Sequence, residues 1–403
     1  MRPRTGSRTH GAGITRTIWC MTRRLPRRAL ALCAGGLLLP FLHTPAAHAD
    51  PVRPPAAEAW QAPATARLSS DGSLSDVAGL SAGNVWAVGQ QSVWDVWQSR
   101  GAITHWNGRT WTEVPIRNDP TGAGLLRSVA AASATELWAV GEGHDGLPYL
   151  ARGDGSAFDR VTVDTLHVGD WLGGVAAVPD RVVAVGRRAR QPLIVTGSGG
   201  KWTLTAAEGR GTLYGVAVTA KGDGWAVGDT GGKPLIMRSS GGQWKSFPAP
   251  DIPGGYLRDV HLNGSRRALA VGGVYRDSGQ VVPLVLSWNG KKWSRVDLPD
   301  QDVRLYGVTG DRKNRFWISG VDLTRPGEAF LLRYDGRRVK TLHGAPPSAP
   351  RTIRLQSAAY LPGTGTIWTV GHVVDGNGRY TDVIERFATK SPAGQGDSAR
   401  SRS

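Results

Sequence analysis

The chain has 403 residues, with 49 Lys and Arg against 32 Asp and Glu, and a formal net charge of +17. Eight of the positive charges lie in the first 49 residues, which contain no acidic residue, so the rest of the chain carries a moderate +9. Glycine accounts for 55 residues, roughly twice its usual share, and Trp for 16, a composition that argues against a helical bundle, a coiled coil or a disordered chain.

The N-terminal segment 1–49 has the pattern of a secretory signal peptide. Basic residues at 23–28 precede an apolar run at 29–42, and a small-x-small sequence ends at Ala49. The apolar run is too short to span a bilayer. We expect cleavage after Ala49 and a secreted, extracellular protein, exported by the Sec or the twin-arginine route. Met21 directly precedes the basic residues and is an alternative translation start.

Both cysteines of the chain, Cys20 and Cys33, fall within this signal. Lipidation at Cys33 does not fit, because Leu32 stands where a small residue is expected. The mature chain is therefore expected to have no disulfide, no thiolate metal site and no cysteine nucleophile. No cofactor or metal is expected.

Seven repeats follow, each marked by a strand resembling Trp-Ala-Val-Gly. The glycines that close these strands are Gly89, Gly141, Gly186, Gly228, Gly272, Gly320 and Gly371. The six intervals between the first and the last of them average 47 residues, within the range of four-stranded propeller blades. In each repeat an inner strand precedes this strand, and a third strand, a tight turn and a fourth strand follow it. Turn pairs such as Asn107-Gly108 tolerate the positive φ of two-residue hairpins.

The seventh repeat ends after its third strand, at 382–387, and its missing outer strand is found at 60–63. An N-terminal strand that completes the last blade would close the ring and remove its free edges. The sequence therefore predicts an all-β fold, a single seven-bladed β-propeller of four-stranded antiparallel blades. Its expected extent is 58–389, after a flexible linker at 50–57 and before a disordered tail at 390–403.

Two of the tight turns, at 198–202 and 239–244, look like degenerate Asp-boxes. Such boxes resemble those of sialidases and of photosystem-assembly-factor-like propellers. The overall pattern is also similar to the kelch and galactose-oxidase-type propellers of secreted bacterial proteins, over about 60–389. The resemblance implies the fold and not an activity, because no sialidase arginine triad or copper site maps onto these positions. A galactose-oxidase-like centre also needs a Cys-linked Tyr, and the mature chain lacks Cys.

Three local motifs that could carry chemistry are better interpreted as structure. The Gly-x-Ser-x-Gly pattern at 79–83 lies between two predicted strands, whereas a nucleophile elbow needs a strand followed by a helix. The segment 375–379 resembles the start of a calcium loop, but Arg379 stands at a ligand position. The histidines show no zinc-site spacing, although His144 and His372 could converge at the mouth of the propeller.

The loop at 90–100 carries two Trp residues outside the repeat pattern, Trp94 and Trp97. Paired exposed Trp rings suit stacking on sugar faces or anchoring a protein partner. The alternative is that both rings fold down onto the first blade.

A ring of side chains is expected near the mouth of the central channel. It consists of the residue after the first Leu of each inner strand: Ser75, Arg127, Gly173, Tyr214, Arg258, Tyr306 and Gln356. The arginines and tyrosines would suit an anionic or hydroxyl-rich ligand. The alternative is that these side chains bond to neighbouring blades. The candidate ligand-binding residues are Trp94, Trp97, Arg127, Tyr214, Arg258, Tyr306 and Gln356.

The sequence thus predicts a secreted, non-catalytic, monomeric binding module that recognises a glycan or a protein through its loop-rich face. The alternative is an extracellular glycan hydrolase or lyase at the channel mouth, which would need two convergent carboxylates. The pairs Asp164 with Asp170 and Asp300 with Asp302 show no such convergence in the sequence. Nucleic acid is disfavoured, since the positive charge is modest and scattered once the signal is removed. No membrane span is expected.

Overall fold

The computed structural model describes residues 58–61, 68–95 and 99–389, which form strands and turns with no helix. Accordingly, no helix in this part of the chain could cross a membrane. The signal, linker and tail predicted at 1–49, 50–57 and 390–403 lie outside the described residues.

The described residues form 29 strands. In chain order they are β1 (Ala59–Gln61), β2 (Gly72–Ser81), β3 (Asn84–Gln91), β4 (Arg100–Trp106), β5 (Trp111–Glu113), β6 (Ile116–Arg117), β7 (Ala123–Ser133), β8 (Glu136–Gly143), β9 (Pro148–Gly153), β10 (Phe158–Arg160), β11 (Trp171–Val178), β12 (Arg181–Arg188), β13 (Gln191–Ser198), β14 (Lys201–Ala206), β15 (Thr212–Val218), β16 (Gly224–Asp229), β17 (Pro234–Ser240), β18 (Gln243–Ser246), β19 (Gly255–Leu262), β20 (Ala268–Tyr275), β21 (Val281–Trp288), β22 (Trp293–Arg295), β23 (Val303–Gly310), β24 (Phe316–Asp322), β25 (Phe330–Tyr334), β26 (Val339–His343), β27 (Arg351–Leu361), β28 (Thr366–Asp375) and β29 (Tyr380–Ala388).

These strands form seven sheets, which are the blades of a seven-bladed β-propeller. Blade 1 is β2–β5, blade 2 is β6–β10, and blades 3 to 6 follow as β11–β14, β15–β18, β19–β22 and β23–β26. Blade 7 combines β27–β29 with β1. Blade 2 departs from the predicted pattern by a fifth strand, β6, which pairs parallel to β10. Arg117 of β6 fixes this addition through ion pairs of 2.8 Å with Asp154 and Asp159.

The ring is closed by the N-terminal strand, as the sequence predicts. Strand β1 pairs antiparallel with β29, and Trp60 lies opposite Phe387 in the register. The two rings meet edge to face at 5.4 Å. Successive inner strands contact one another around the channel, and β27 of blade 7 contacts β2 of blade 1. No blade is therefore left with an open inner edge.

The core lies between the blades, where the Trp residues of the second strands are buried. These are Trp86, Trp138, Trp225, Trp317 and Trp368. Trp317 of blade 6 stacks on Tyr360 of blade 7, with centroids 5.6 Å apart. Trp368 of blade 7 packs against two Trp rings of blade 1. The repeated Trp thus joins each such blade to the next and forms the core between blades.

Two of the local motifs are turns in the structure. The Gly-x-Ser-x-Gly segment spans the end of β2 and the turn before β3, with no helix after it. At 375–379 the Asp375 carboxylate accepts hydrogen bonds from the backbone N–H groups of Asn377 and Arg379, at 2.8 and 2.9 Å. Both motifs therefore serve hairpins that connect neighbouring strands.

Candidate functional site

Every inner strand carries a β-bulge at the same place. The register with the second strand slips between a Leu and the residue two positions later, in all seven blades. The bulged residues are Ser75, Arg127, Gly173, Tyr214, Arg258, Tyr306 and Gln356. We call these seven the bulge ring. A bulge leaves its extra residue unpaired and redirects the side chain, and here it turns the ring toward the channel.

The closing glycines of the repeats make these bulges possible. In each blade the Leu before the bulge pairs with the closing glycine. A Cβ on Gly186 would lie 1.7 Å from the Trp171 carbonyl oxygen, and one on Gly141 would lie 2.2 Å from that of Leu125. The other five glycines meet the equivalent carbonyl at distances between these values. Only glycine allows the two backbones to approach so closely.

All seven members of the bulge ring line one cavity of about 1060 Å³ at the mouth of the central channel. We call it the mouth cavity. Four aromatic residues that the sequence analysis did not select also line it: Trp171, Tyr256, Tyr275 and Tyr380. Two of them could have been found, since Trp171 and Tyr256 precede bulge-ring members by two residues. This is the side-chain period of a strand.

The aromatic side chains of the mouth cavity come from several blades. Trp94 is 65% exposed and meets the Tyr380 ring of blade 7 at 5.0 Å, so it does not fold down onto blade 1. Trp171 and Tyr214 meet edge to face at 5.8 Å, and Tyr256 lies 5.1 Å from the exposed Tyr275. Trp97, the other Trp predicted in this loop, lies outside the described residues.

The two arginines of the bulge ring differ in their partners. Arg127 donates to the Glu142 carboxylate from Nη2 at 2.5 Å and from Nε at 3.1 Å, and its guanidinium lies over Trp171. Arg258 is exposed, and no carboxylate of the described residues lies within 4.0 Å of it. Its guanidinium lies 4.9 Å from the centroid of the Tyr306 ring. Arg258 therefore presents to the cavity a guanidinium without an ion-pair partner, although its charge partly offsets the rise in the pKa of the neighbouring Asp259. Arg127, by contrast, is paired with Glu142.

Tyr214 is held in its protonated form. Burial and the nearby Asp229 carboxylate raise its pKa to about 12. Its hydroxyl therefore keeps its proton at neutral pH and donates it to the Asp229 carboxylate, so a ligand would meet the hydroxyl oxygen as an acceptor.

Two carboxylates lie deeper in the channel and join neighbouring inner strands. Asp76 accepts hydrogen bonds from the Ser128 hydroxyl of blade 2 at 2.7 Å and from the Ser357 hydroxyl of blade 7 at 2.6 Å. Asp259 accepts the backbone N–H groups of Val260 and, in the next blade, of Val308, at 2.7 and 2.8 Å. Burial raises the pKa of both groups, that of Asp259 to about 7.

The carboxylates weighed in the sequence lie elsewhere. Asp170 forms an ion pair of 2.6 Å with Arg188, and Asp302 forms one of 2.8 Å with Arg304. None of the four carboxylates weighed in the sequence, Asp164, Asp170, Asp300 and Asp302, lines the mouth cavity. Nor does any group of three His, Cys, Asp or Glu side chains in 58–61, 68–95 and 99–389 have the geometry to hold a metal ion.

Neither His144 nor His372, the two histidines weighed at the mouth, lines the mouth cavity. His372 is buried in blade 7. Its Nδ1 is 2.9 Å from the Ser73 hydroxyl. Burial lowers its pKa to about 4, so the ring is neutral at physiological pH.

No protein-family model matches the chain, and no curated protein matches it. The solved structures similar to it include one described as YCF48 bound to D1 peptide, with a TM-score of 0.53 and 13% identity. The match covers 80% of this chain and 95% of that chain. Another is the Cps50 (Swd1) β-propeller domain of Myceliophteria thermophila, at a TM-score of 0.47 and 10% identity, covering 77% and 96% of the two chains. At 13% identity the likeness to the first of these structures concerns the fold alone.

Proposed function

We propose that the protein is a secreted, non-catalytic recognition module that binds an anionic segment of a glycan or a protein at the mouth cavity. The observation that carries the proposal is Arg258, an exposed guanidinium that forms no ion pair with the described residues, in a cavity rimmed by aromatic rings. A carboxylate or phosphate of the ligand would pair with it through two parallel hydrogen bonds.

The rings supply the rest of the ligand contact. Trp94 and Tyr275 are exposed at the rim, where flat apolar faces can stack on sugar rings or on apolar side chains of a peptide. The volume of about 1060 Å³ lies at the upper end of the range for small-molecule pockets. It suits an extended segment of several residues or sugars rather than a single small metabolite.

Two observations bear on the kind of partner, one for a protein segment and one for a glycan. The neighbour described as bound to D1 peptide is a propeller that holds a peptide, which favours a protein segment. The exposed Trp94 favours a glycan, because a flat aromatic face can stack on a sugar ring. An extracellular partner follows from the signal expected at 1–49.

The alternative is a glycan hydrolase or lyase at the same mouth, and Asp259 is the observation in its favour. A carboxyl whose pKa is raised to about 7 suits a general acid. Against this, both oxygens of Asp259 accept backbone N–H groups, so the carboxyl is already engaged in joining blades 5 and 6. Binding without catalysis accounts better for these contacts.

Binding to a glycan array and to an immobilised peptide library tests the proposal, with Arg258→Gln as the variant. Arg190→Gln is the matched control, since Arg190 is exposed, lies between β12 and β13 and does not line the mouth cavity. We expect Arg258→Gln to weaken binding at least about tenfold and the control to retain it. Binding confined to the glycan array identifies the partner as a glycan, and binding confined to the peptide library identifies it as a protein. Equal binding by both variants would contradict the proposal, and turnover of a bound glycan that is lost in Asp259→Asn would establish the enzyme instead.

A further inference from the structure

The face opposite the mouth cavity is built from two turns per blade. An inner turn joins the first and second strands, and an outer turn joins the third and fourth. The two turns of a blade are neighbours: a Cβ on Gly83, in the inner turn of blade 1, would lie 3.6 Å from Asn107 in the outer turn. In blade 4, one on Gly222 would lie 2.9 Å from the Gly242 nitrogen.

On blades 5 and 6 these turns are strongly basic. The inner turns are 263–267 and 311–315, and the outer turns are 289–292 and 335–338. These 18 residues include nine Lys or Arg and two Asp, a net charge of +7. The whole segment 58–389 has 37 Lys and Arg and 30 Asp and Glu, also a net charge of +7. The rest of the propeller is therefore balanced, and its net charge is gathered on four turns. We call these four turns the basic face.

The four turns form one continuous surface. Asn263 of blade 5 accepts the Arg312 N–H of blade 6 at 2.9 Å and donates to the Arg315 carbonyl at 3.0 Å, which joins the inner turns. The outer turns lie beside them. A Cβ on Gly290 would lie 3.5 Å from the Arg266 side chain, and one on Gly336 would lie 3.4 Å from Arg267 Nη1. The four basic turns thus lie two by two, an inner and an outer turn on each of the two blades, rather than in a line.

The two acidic residues of the basic face are engaged within their own turns. The Asp335 carboxylate accepts the backbone N–H groups of Arg337 and Arg338. Asp311 accepts two backbone N–H groups of its turn and forms the ion pair with Arg315.

Of the nine basic side chains, only that of Arg315 has an acidic partner among the described residues. The other eight are exposed on their turns. They are Arg266, Arg267, Lys291, Lys292, Arg312, Lys313, Arg337 and Arg338. Eight exposed cations that form no ion pair, on a surface with a net charge of +7, are a site for a polyanion.

We propose that the basic face docks the propeller on an anionic phospholipid bilayer, with the mouth cavity directed away from the lipid. A planar array of cations matches a planar array of headgroups, whereas a linear polyanion would engage only one row of it. None of the exposed large apolar side chains, Trp94, Val168, Tyr275 and Leu323, belongs to these turns. The attachment is therefore electrostatic, without insertion into the hydrocarbon. This surface is separate from the mouth cavity, and the proposal does not depend on the ligand bound there.

Co-sedimentation of the full chain with vesicles tests the proposal. The vesicles are phosphatidylcholine with about 30 mol% phosphatidylglycerol, compared with pure phosphatidylcholine, at about 50 mM and about 500 mM salt. We expect binding to the anionic vesicles only, and release at high salt. The variant replaces Lys291, Lys292, Arg337 and Arg338 with Glu, which reverses the charge at four positions of the basic face. Each cation near an anionic surface contributes about a fivefold factor in partitioning, so we expect a loss of at least several hundred-fold.

The matched control replaces with Glu four exposed basic residues that lie on the same side of other blades: Arg109, Lys201, Lys221 and Lys245. The net charge changes equally, and residues 1–57 are unchanged in both variants, so any attraction by the basic N-terminal segment cancels. We expect the control to lose less than about tenfold. The four side chains changed in the variant and the four changed in the control are all exposed. Unfolding curves that match that of wild type verify that both proteins fold. Equal vesicle binding by the two variants would overturn the proposal, as would displacement of the wild-type protein from the vesicles by a stoichiometric amount of duplex DNA or heparin.

Discussion

Gly228→Ala probes the close approach that allows the bulge ring to form. Gly228 closes the second strand of blade 4 and pairs with Leu213, the residue before the bulge at Tyr214. A Cβ at this position would lie 1.8 Å from the Thr212 carbonyl oxygen and within 2.9 Å of two further backbone atoms. Since all three obstacles are backbone, no side chain can rotate to make room. The inner strand itself has to move by more than 1 Å, because real Cβ atoms stay beyond 3.0 Å.

The expected loss of stability is about 3 kcal/mol. Overpacking in a closed site costs about 1–3 kcal/mol, and the upper end applies here because the backbone is obstructed. Displacing the inner strand weakens a hydrogen bond of the ladder, for about 1 kcal/mol more. The smaller conformational freedom of Ala in the unfolded chain offsets about 0.4–1 kcal/mol. The matched control is Gly83→Ala, where the nearest atom to the added Cβ is 3.6 Å away and φ is not positive. The control should be neutral or slightly stabilising.

Urea unfolding followed by Trp fluorescence measures both variants. With an m-value of roughly 3 kcal/mol/M for a domain of this size, the midpoint of Gly228→Ala should fall by about 1 M at unchanged m. Midpoints of Gly228→Ala and Gly83→Ala that agree within about 0.2 M would refute the argument. The repeated glycine would then be a feature of the sequence without a steric role in the bulge.

Two further predictions concern stability. Glu385 is 8% exposed, and burial raises its pKa to about 7 from 4.5. The folded state therefore holds a proton that the unfolded chain releases, and its contribution to stability is lost as the pH rises from about 4.5 to 7. The free energy of unfolding of Glu385→Gln should thus be about 2–3 kcal/mol higher than that of wild type at pH 8 and equal to it at pH 4. The control Glu208→Gln, at an exposed residue, should show no such gain at pH 8. The same dependence of unfolding free energy on pH in both variants would contradict this. Trp60→Ala should lower stability by about 2 kcal/mol, because Trp60 packs on Phe387 where the ring of blades closes. Trp94→Ala, at a 65% exposed residue, should change stability by less than about 0.5 kcal/mol. Equal midpoints of thermal unfolding for the two variants would argue against the role of β1 in closing the ring.

The repeated pattern of the chain was sufficient to predict the blades. Trp-Ala-Val-Gly strands and Asn-Gly or Asp-Gly turns are local signals, and their period determines how many blades the ring holds. The closing strand at 59–61 was also predictable, because a seventh blade without an outer strand leaves an open edge. The same period located the bulge ring, since equivalent positions of seven equivalent strands must surround one axis.

The fifth strand of blade 2 was not predictable. It consists of the two residues Ile116 and Arg117 and depends on ion pairs with Asp154 and Asp159, about 40 positions further along the chain. Such a short segment has no period of its own, so only the folded blade shows that it pairs.

The ion pairs and hydrogen bonds at the mouth cavity could be identified only from the tertiary structure. By sequence, Arg127 and Arg258 are equivalent, yet Glu142 neutralises the first and no described carboxylate pairs with the second. Asp76 and Asp259 look like ordinary strand residues, but they accept hydrogen bonds from neighbouring blades.

The distribution of charge gives the same lesson. The Lys and Arg of the basic face are dispersed over 263–338 in the sequence and looked scattered, but they meet on four adjacent turns. The sequence by itself determined the blade, its number of copies and the ring that faces the axis, because these follow from local period and burial. Only the tertiary structure decided which charges are paired, which are free and which lie together, because electrostatic interactions depend on distance in space and not on separation along the chain.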